Sequence, residues 1–177
     1  MTIKLSIAGL GWWGKVMIER LSTSDKLEIV SLIDPFPDEE SQKIAKNHNL
    51  EIYKDFDEAL SLSKFDAIIL CTPNSFHMEQ TIKASKHRIH VFCEKPLSLK
   101  SIEVKKMIDA CNQNRLILGV GHERRFEKGW MRLKDIVTSN KLGSIMYAEG
   151  HFSHDKLAGL PSDNWRADPK FAPAAGM

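Results

Sequence analysis

Three glycines near the N-terminus have a spacing that could bind phosphate. Gly9, Gly11 and Gly14 follow a short apolar, β-prone run, Ile3–Ala8, with G-x-G-x-x-G spacing. At this spacing the first glycine permits a tight turn, the second lets backbone approach a pyrophosphate, and the third lets a helix pack on a strand. A helix that begins here points free N–H groups and the positive end of its dipole at the phosphates. The pattern therefore predicts a strand, a glycine turn and a helix N-terminus that bind a diphosphate.

An acidic residue completes this pattern. Asp34 ends a second β-prone run, Leu27–Ile33, twenty residues after Gly14. An acid at about this distance hydrogen-bonds the ribose hydroxyls of a bound dinucleotide. Aspartate, in place of Arg or Ser, favours NAD over NADP because a 2′-phosphate would meet a carboxylate. Two alternatives stay open: a glycine turn that binds nothing, and one that binds another nucleoside such as S-adenosylmethionine.

A second group of polar residues follows the buried run Ala67–Cys71. Its turn consists of Thr72, Pro73 and Asn74. Ligands of open α/β sheets bind at the carboxyl ends of strands, so this turn is a candidate binding site. Ser75 is predicted to cap the helix that follows, up to Ser85. His77, in the first turn of that helix, is either a surface or capping histidine or a contact to cofactor or substrate.

The elements that would position these residues alternate between strands and helices over about 120 residues. Right-handed crossovers between such strands give an α/β fold with a doubly wound parallel sheet, which is a Rossmann domain. Ser98 is predicted to cap the long helix that runs to about Asn114. The strands are predicted at Ile3–Ala8, Leu27–Ile33, Glu51–Tyr53, Ala67–Cys71, His90–Cys93 and Leu116–Val120.

The character of the sequence changes after Gly121. A helix is predicted over Phe126–Thr138 and one long strand over Ser144–Ser153, but these two elements do not bury a core of their own. We therefore predict a dinucleotide-binding domain over 1–121 and the beginning of an incomplete second α+β domain over 122–177. The long strand would have an unprotected edge, which predicts pairing with another copy and a homo-oligomer.

Composition limits the classes of function. The chain has 177 residues, a net charge of +2 and no basic block, so nucleic acid is not an expected partner. No apolar run approaches the roughly 20 residues of a membrane span, and no membrane partner is expected. The first residues belong to a predicted strand, so no signal peptide is expected. Cys71, Cys93 and Cys111 are odd in number and widely spaced, which favours reduced thiols in the cytoplasm over a disulfide framework or a metal site.

With these residues in view, the sequence resembles the Gfo/Idh/MocA family of nicotinamide-dependent oxidoreductases, which includes inositol and sugar dehydrogenases. The resemblance covers nearly all of the chain. It rests on the motifs Gly9–Gly14, Cys71–His77, Glu94–Pro96, Gly121–Phe126 and Trp165–Pro169.

The resemblance implies a catalytic role for Lys95, beside the nicotinamide and the reacting hydroxyl of the substrate. A lysine there can donate a hydrogen bond to the oxygen as hydride leaves the carbon, and partial desolvation would ease proton transfer. Glu94 and Pro96 would fix its position. The residues expected to bind the cofactor are Gly9, Gly11, Trp12, Trp13, Gly14, Asp34, Thr72, Pro73, Asn74, His77, Glu94, Lys95, Arg125, Trp165 and Arg166.

Members of the family are considerably longer than this chain. They continue beyond the position of Gly176 into a helix with Asp and His, the usual partners of Lys95 in proton transfer. The expected function is therefore hydride transfer between NAD and a sugar, inositol or related polyol. The alternative is an NAD-binding module or sensor without turnover. A methyltransferase is a weaker third reading because the Glu-Lys-Pro motif has no role in one.

Overall fold

The computed structural model describes residues 2–62, 64–151, 153, 155, 159, 161 and 164–168. The chain divides into two compact units, Met1–Gly121 and His122–Met177.

The first unit is a parallel sheet of six strands with the order β3-β2-β1-β4-β5-β6. The predicted doubly wound sheet is therefore confirmed. The strands are β1 Ile3–Ala8, β2 Leu27–Ile33, β3 Glu51–Tyr53, β4 Ala67–Leu70, β5 His90–Glu94 and β6 Leu118–Gly121. The helices between them are α1 Trp12–Leu21, α2 Glu39–Asn47, α3 Phe56–Leu62, α4 Asn74–Lys86 and α5 Ser101–Gln113.

The strands are apolar on both faces because helices cover the sheet on both sides. Successive side chains of a strand point to opposite faces. In β4, Ile68 and Leu70 belong to the core on the side of α4, whereas Ile69 belongs to the core on the side of α1. This alternation gives each face of the sheet its own apolar core, so that the sheet lies between two helical layers.

The order of the strands reverses between β1 and β4, which are neighbours in the sheet. Ala8 is paired with Leu70, the last residue of β4, and the N–H of Cys71 donates to the Ala8 carbonyl at 2.8 Å. Gly9 and Thr72 therefore follow two adjacent strand ends. In open α/β sheets a ligand binds in the crevice at such a reversal.

Two predicted helix caps are wrong. Ser75 lies inside α4, whose N-cap is Pro73, and α5 has Lys100 as its N-cap instead of Ser98. The Ser98 hydroxyl accepts the Lys100 N–H at 3.1 Å and donates to the Glu103 carboxylate, so it organises the turn before the helix.

The predicted strand over Ser144–Ser153 is also wrong for the residues that the structure describes there. Residues 144–151 and 153 form no strand, and Phe152 lies outside the described residues. A strand needs a neighbour to receive its backbone hydrogen bonds. The described residues of the second unit include no other strand to provide one.

The second unit contains a 3-10 helix, Glu123–Phe126, the helix α6 Lys128–Thr138, and a second 3-10 helix, Trp165–Ala167. None of the residues of α6 is buried. Among the described residues of the whole chain, no helix has the length and apolar character needed to cross a membrane.

Candidate functional site

The three glycines at the end of β1 have different structural reasons to be glycine. Gly9 has φ of +89°, and a Cβ there would lie 2.7 Å from backbone atoms of Cys71 and Thr72. A Cβ on Gly14 would overlap the carbonyl oxygen of Gly9. A Cβ on Gly11 would meet nothing within 4 Å. The packing of the protein therefore requires glycine at the first and third positions, while the space beside Gly11 is open to a ligand.

The N-terminus of α1 has no cap from a side chain. Its N-cap is Gly11, which has no side chain to cap the helix, and its first turn has no acidic residue. Among the described residues, no side-chain cap bond is made to its first N–H groups. The neighbouring helix α2 is capped by Asp38, which accepts the Ser41 N–H at 2.8 Å, and has Glu39 and Glu40 in its first turn. The first N–H groups of a helix lack intrahelical partners and attract anions. The beginning of α1 is thus arranged to receive an anion, and that of α2 is not.

Asp34, just after β2, lies against the glycine turn. Its Oδ2 accepts the Leu10 N–H at 2.7 Å, and its Oδ1 accepts the Phe36 N–H at 2.8 Å. A carboxylate oxygen has two lone pairs, so each oxygen can accept a further hydrogen bond. The Phe36 ring is 89% exposed beside it. Asp34 therefore fixes the turn and still has the capacity to bind ligand hydroxyls.

His77 connects two of the loops that were predicted to form the site. Its side chain is buried, with Nδ1 3.0 Å from the Pro96 carbonyl oxygen and Nε2 2.8 Å from the Thr72 carbonyl oxygen. Burial lowers the pKa of His77, against the opposing effect of these carbonyls and of the Glu94 charge. The surface or capping reading of this histidine is wrong, and the hydrogen bonds described for its ring are with the backbone.

Glu94, the last residue of β5, is buried, and its carboxylate accepts the Lys95 N–H at 3.2 Å. The carboxylate lies directly over Gly121, its partner on β6: a Cβ there would be 2.6 Å from Cδ and 2.8 Å from Oε2. Any larger residue at position 121 would displace the carboxylate. Gly121 therefore makes the room that Glu94 occupies.

Lys95 follows Glu94, and its bond to Pro96 is cis. Its side chain is exposed. Within the described part of the chain, its ammonium group makes no hydrogen bond or ion pair. The desolvation that was expected around Lys95 is therefore not provided by the first unit.

Two buried polar atoms near the strand ends lack a partner among the described residues: Nε1 of Trp13 and Oδ1 of Asn74. Leaving such an atom unsatisfied costs about 1–3 kcal/mol, so each position fits a ligand or a water. Trp12 stacks at a tilt on Trp13, with ring centroids 5.3 Å apart, and is 73% exposed. The indole pair borders the glycine turn and includes one donor that still needs an acceptor.

The cysteines near the site are not reactive thiols. Burial, together with the Glu94 charge, raises the pKa of Cys71 to about 12, and burial likewise raises the pKa of Cys93. Nucleophilic catalysis by a thiolate is therefore disfavoured. Among the described residues, no cluster of His, Cys, Asp or Glu could hold a metal ion.

The Thr72 side chain is held in place by its hydroxyl, which donates to the side-chain oxygen of Gln80 at 2.6 Å.

Three of the predicted residues, Arg125, Trp165 and Arg166, belong to the second unit. Arg125 lines a cavity of about 480 Å³ together with Arg124, Phe126, Trp130 and Lys134. Trp165 and Arg166 lie in the second 3-10 helix, and the side chain of Trp165 is outside the described part of the chain. Arg166 is exposed, and its N–H donates to Asn164 Oδ1 at 3.0 Å.

The carboxyl edge of the sheet brings most of the predicted residues of the first unit together. Hydrogen bonds or strand pairing connect the glycine turn to Asp34, the Thr72 turn to His77, and His77 to the Glu94–Pro96 segment. Sequence reasoning missed the Leu10 amide, Ser41, and the role of Gly121. A glycine directly after a predicted strand was the available signal for Gly121, but its contact with Glu94 depends on strand register.

Comparison with known proteins gives a consistent result. Residues 3–122 match the Gfo/Idh/MocA family model, described as "Oxidoreductase family, NAD-binding Rossmann fold". A myo-inositol 2-dehydrogenase of Thermotoga maritima is 31% identical over 80% of this chain and 42% of its own length. A 2,7-anhydro-N-acetylneuraminate hydratase of Mediterraneibacter gnavus is 30% identical over 82% of the chain and 38% of its own length.

A solved structure of scyllo-inositol dehydrogenase from Lactobacillus casei, with bound NAD(H) and scyllo-inositol, has a similar fold. Its TM-score is 0.75 at 27% identity, covering 81% of this chain and 43% of that one. The chain therefore spans about two fifths of the length of these relatives.

Proposed function

Because the chain belongs to the Gfo/Idh/MocA family of NAD-binding oxidoreductases, we propose that it binds NAD at the turn between β1 and α1. The observation that carries the proposal is the uncapped N-terminus of α1 beside the open space at Gly11. Two buried atoms without a partner among the described residues also support the proposal. Nε1 of Trp13 offers a ligand a hydrogen-bond donor, and Oδ1 of Asn74 offers it an acceptor.

In this proposal the amides from Gly11 to Gly14 bind the diphosphate, and the Asp34 carboxylate binds the adenosine ribose. A carboxylate there opposes a 2′-phosphate, so NAD is preferred to NADP. Asn74, with its buried amide oxygen, and the adjoining Thr72–Pro73 turn are proposed to line the nicotinamide side. Arg125, Trp165 and Arg166 stay a prediction from the resemblance.

The chemistry that NAD supplies when bound is acceptance of a hydride from a carbinol carbon. Lys95 is then proposed to hydrogen-bond the carbinol oxygen and to take or give its proton. Glu94 positions Lys95 through the hydrogen bond from the Lys95 backbone, and Gly121 keeps Glu94 in place. His77 fixes the other side of the loop through the Pro96 carbonyl.

We propose a sugar, inositol or related polyol as substrate. The support is the Glu-Lys-Pro motif together with the inositol dehydrogenases among the relatives. Residues 122–177 would begin the domain that completes the substrate site and joins copies of the chain. The described cysteines are all free, in keeping with the proposed cytoplasmic location.

A second candidate is an NAD-binding module without turnover. It is favoured by Lys95, whose ammonium has no partner among the described residues that could receive or return a proton. In that case the 177-residue form binds NAD without turnover.

Titration of NADH fluorescence tests the proposed binding site. We expect binding in the micromolar to millimolar range, and Asp34→Ala should weaken it about tenfold or more because a charged hydrogen bond contributes about 1.5–3 kcal/mol. Asp66→Ala is the matched control, since Asp66 accepts the Lys4 N–H at 2.9 Å at the opposite end of the sheet. Equal affinity for the Asp34 variant and the unchanged protein would contradict the ribose assignment.

An activity assay with inositols, sugars and sugar alcohols separates the two candidates. Turnover that Lys95→Ala abolishes, with NADH binding retained, supports the dehydrogenase. NADH binding without turnover of any polyol supports the binding module. Turnover that Lys95→Ala leaves unchanged would contradict the role of Lys95.

A further inference from the structure

A lysine directly after the glycine turn is held by two carboxylates. The Lys15 Nζ lies 2.6 Å from Asp38 Oδ2 and 2.5 Å from Glu40 Oε2. Lys15 belongs to the first turn of α1, and the two acids belong to the N-terminus of α2. The lysine side chain is 14% exposed, whereas those of Asp38 and Glu40 are 60% and 69% exposed. We refer to these three residues as the Lys15 clamp.

The clamp is connected to the carboxylate that is proposed to bind the ribose. Asp38 Oδ1 accepts the Ser41 N–H at 2.8 Å, and the Ser41 hydroxyl lies 3.3 Å from the Leu10 carbonyl oxygen. The Leu10 N–H in turn donates to Asp34 at 2.7 Å. The clamp is therefore close to Asp34, on the side of the turn where β2 leads into α2.

The contacts within the clamp favour the charged forms of Lys15 and Asp38. The hydrogen bond from Lys15 and those from Ser41 lower the pKa of Asp38 to about 2. Burial acts to lower the pKa of Lys15, but the hydrogen bonds to Asp38 and Glu40 raise it overall. Asp38 and Glu40 both form ion pairs with Lys15, so this ammonium group already has two anionic partners.

We propose that the Lys15 clamp is a second determinant of cofactor choice, in addition to Asp34. A 2′-phosphate on the adenosine ribose needs a nearby cation, and Lys15 is a suitable side chain for that contact. Asp38 and Glu40 occupy its ammonium and add negative charge on the same side, which disfavours NADP. Lys15 and Glu40 line an open cavity of about 710 Å³ with Trp12, so the ammonium has space to move when the two acids are neutralised. This inference rests on the proposed NAD site.

The test is the ratio of NADP⁺ to NAD⁺ affinity in the double variant Asp38→Asn with Glu40→Gln. Asparagine caps a helix about as well as aspartate, so α2 should remain intact, and a thermal melt checks this. Both dissociation constants are measured by calorimetry in low salt. We expect the ratio to shift towards NADP⁺ by about tenfold, with NAD⁺ affinity changed less than about threefold.

The chain provides a matched control with the same change of charge. Lys83 is held by Asp57 at 2.8 Å and Glu79 at 2.9 Å on α3 and α4. The double variant Asp57→Asn with Glu79→Gln should leave the ratio unchanged. Adding Lys15→Met to the Asp38 and Glu40 changes should remove most of the gain, because the released ammonium is its source.

The possible results distinguish failure of the role of the clamp from failure of the proposed function. NAD⁺ binding with no shift of the ratio in the Asp38–Glu40 variant would overturn the role of the clamp and leave the proposed function in place. An equal shift in the Lys83 control, or a shift that survives Lys15→Met, would assign the effect to net charge and also overturn it. If the unchanged protein binds neither nucleotide, the proposed function fails and this inference fails with it.

Discussion

At the scale of single residues, His77 has the contacts that tie the site together. It is buried between the carbonyls of Thr72 and Pro96, so one ring links the turn after β4 to the loop after β5. A neutral imidazole donates through only one nitrogen, while both nitrogens here face carbonyl oxygens. Burial favours the neutral ring and the two carbonyls favour the charged one, and burial outweighs them.

The lowered pKa of His77 predicts how stability depends on pH. The unfolded chain binds a proton near the ordinary value of 6.5, whereas the folded chain binds it only at lower pH. The unfolded state therefore holds more protons as pH falls through 6.5, and the free energy of unfolding decreases over that window before it levels off. Asp38, with a pKa of about 2, has its effect at much lower pH, below its ordinary value of 3.8.

Urea denaturation between pH 5 and pH 8 measures this effect. The decrease in the free energy of unfolding on acidification should be smaller in His77→Gln than in the unchanged protein, although the variant is less stable throughout. The exposed His87, changed to Gln, is the control and should keep the full decrease. A larger decrease in His77→Gln would mean that the carbonyls, not burial, determine the proton affinity.

At the scale of elements, the turn between β1 and α1 contains two kinds of glycine. Gly9 and Gly14 are required by packing, whereas Gly11 is proposed to face the ligand. Gly9→Ala should destabilise the fold by several kcal/mol, since it combines overpacking against Cys71 and Thr72, about 1–3 kcal/mol, with strain at positive φ of about the same size. Gly11→Ala should change stability by no more than about 1 kcal/mol, because its φ of −66° suits alanine and the only loss is the preference for glycine over alanine at an N-cap.

Although Gly11→Ala should affect stability only slightly, it should have a large effect on NADH affinity. Gly11→Ala is expected to weaken NADH binding about tenfold or more, because its Cβ would stand between the backbone and the pyrophosphate. Gly129→Ala is a control, since a Cβ there also meets nothing within 4 Å and the residue is in α6. Thermal melts and NADH titration of the three variants are the measurements. Unchanged NADH affinity in Gly11→Ala would contradict the proposed position of the diphosphate.

The sequence predicted the elements of the first unit better than their ends. Leu27–Ile33 and Glu51–Tyr53 coincide with β2 and β3, because short segments with β-branched or aromatic residues between turn residues favour strands. The caps at Ser75 and Ser98 failed because several nearby residues could begin a helix, and the backbone at Pro73 and Lys100 decides which one does. The prediction of a strand over Ser144–Ser153 failed because alternation of apolar and polar residues indicates the two faces of a strand but does not provide a neighbouring strand to pair with.

The sequence offered candidate site residues but not the contacts between them. Glycine spacing and an acid twenty residues later made Gly14 and Asp34 candidates for the site. The contact of Glu94 with Gly121 and the Lys15 clamp join residues far apart in the chain. Contacts of this kind depend on strand register and on the angle between helices, which local patterns do not determine.

At the scale of the whole molecule, the second unit leaves large apolar side chains in contact with solvent. In α6 and the residues after it, Trp130 is 53% exposed, Leu133 49%, Met146 91% and Tyr147 78%. Exposed apolar groups of this size usually mark a surface that another part of a protein covers. We therefore predict that the 177-residue chain associates with itself in a concentration-dependent way.

Sedimentation velocity over a range of concentrations measures this association. Leu133→Lys should shift the distribution towards monomer, because a charge would be placed in the apolar contact. Ile102→Lys is the control: Ile102 is 59% exposed, but it belongs to α5 in the first unit. A chain that stays monomeric at all concentrations, or an equal effect of the two substitutions, would contradict the prediction.

Amide chemical shifts report most directly on whether the backbone at the start of α1 binds the diphosphate of NAD. In a ¹⁵N spectrum titrated with NAD⁺, we expect the largest shifts at Gly11, Gly14 and Leu10, whose amide is held by Asp34. The amides of Lys4 and Asp66, which are joined at the opposite end of the sheet, should not shift. Saturating shifts elsewhere, with the glycine turn unaffected, would show that the diphosphate does not bind there.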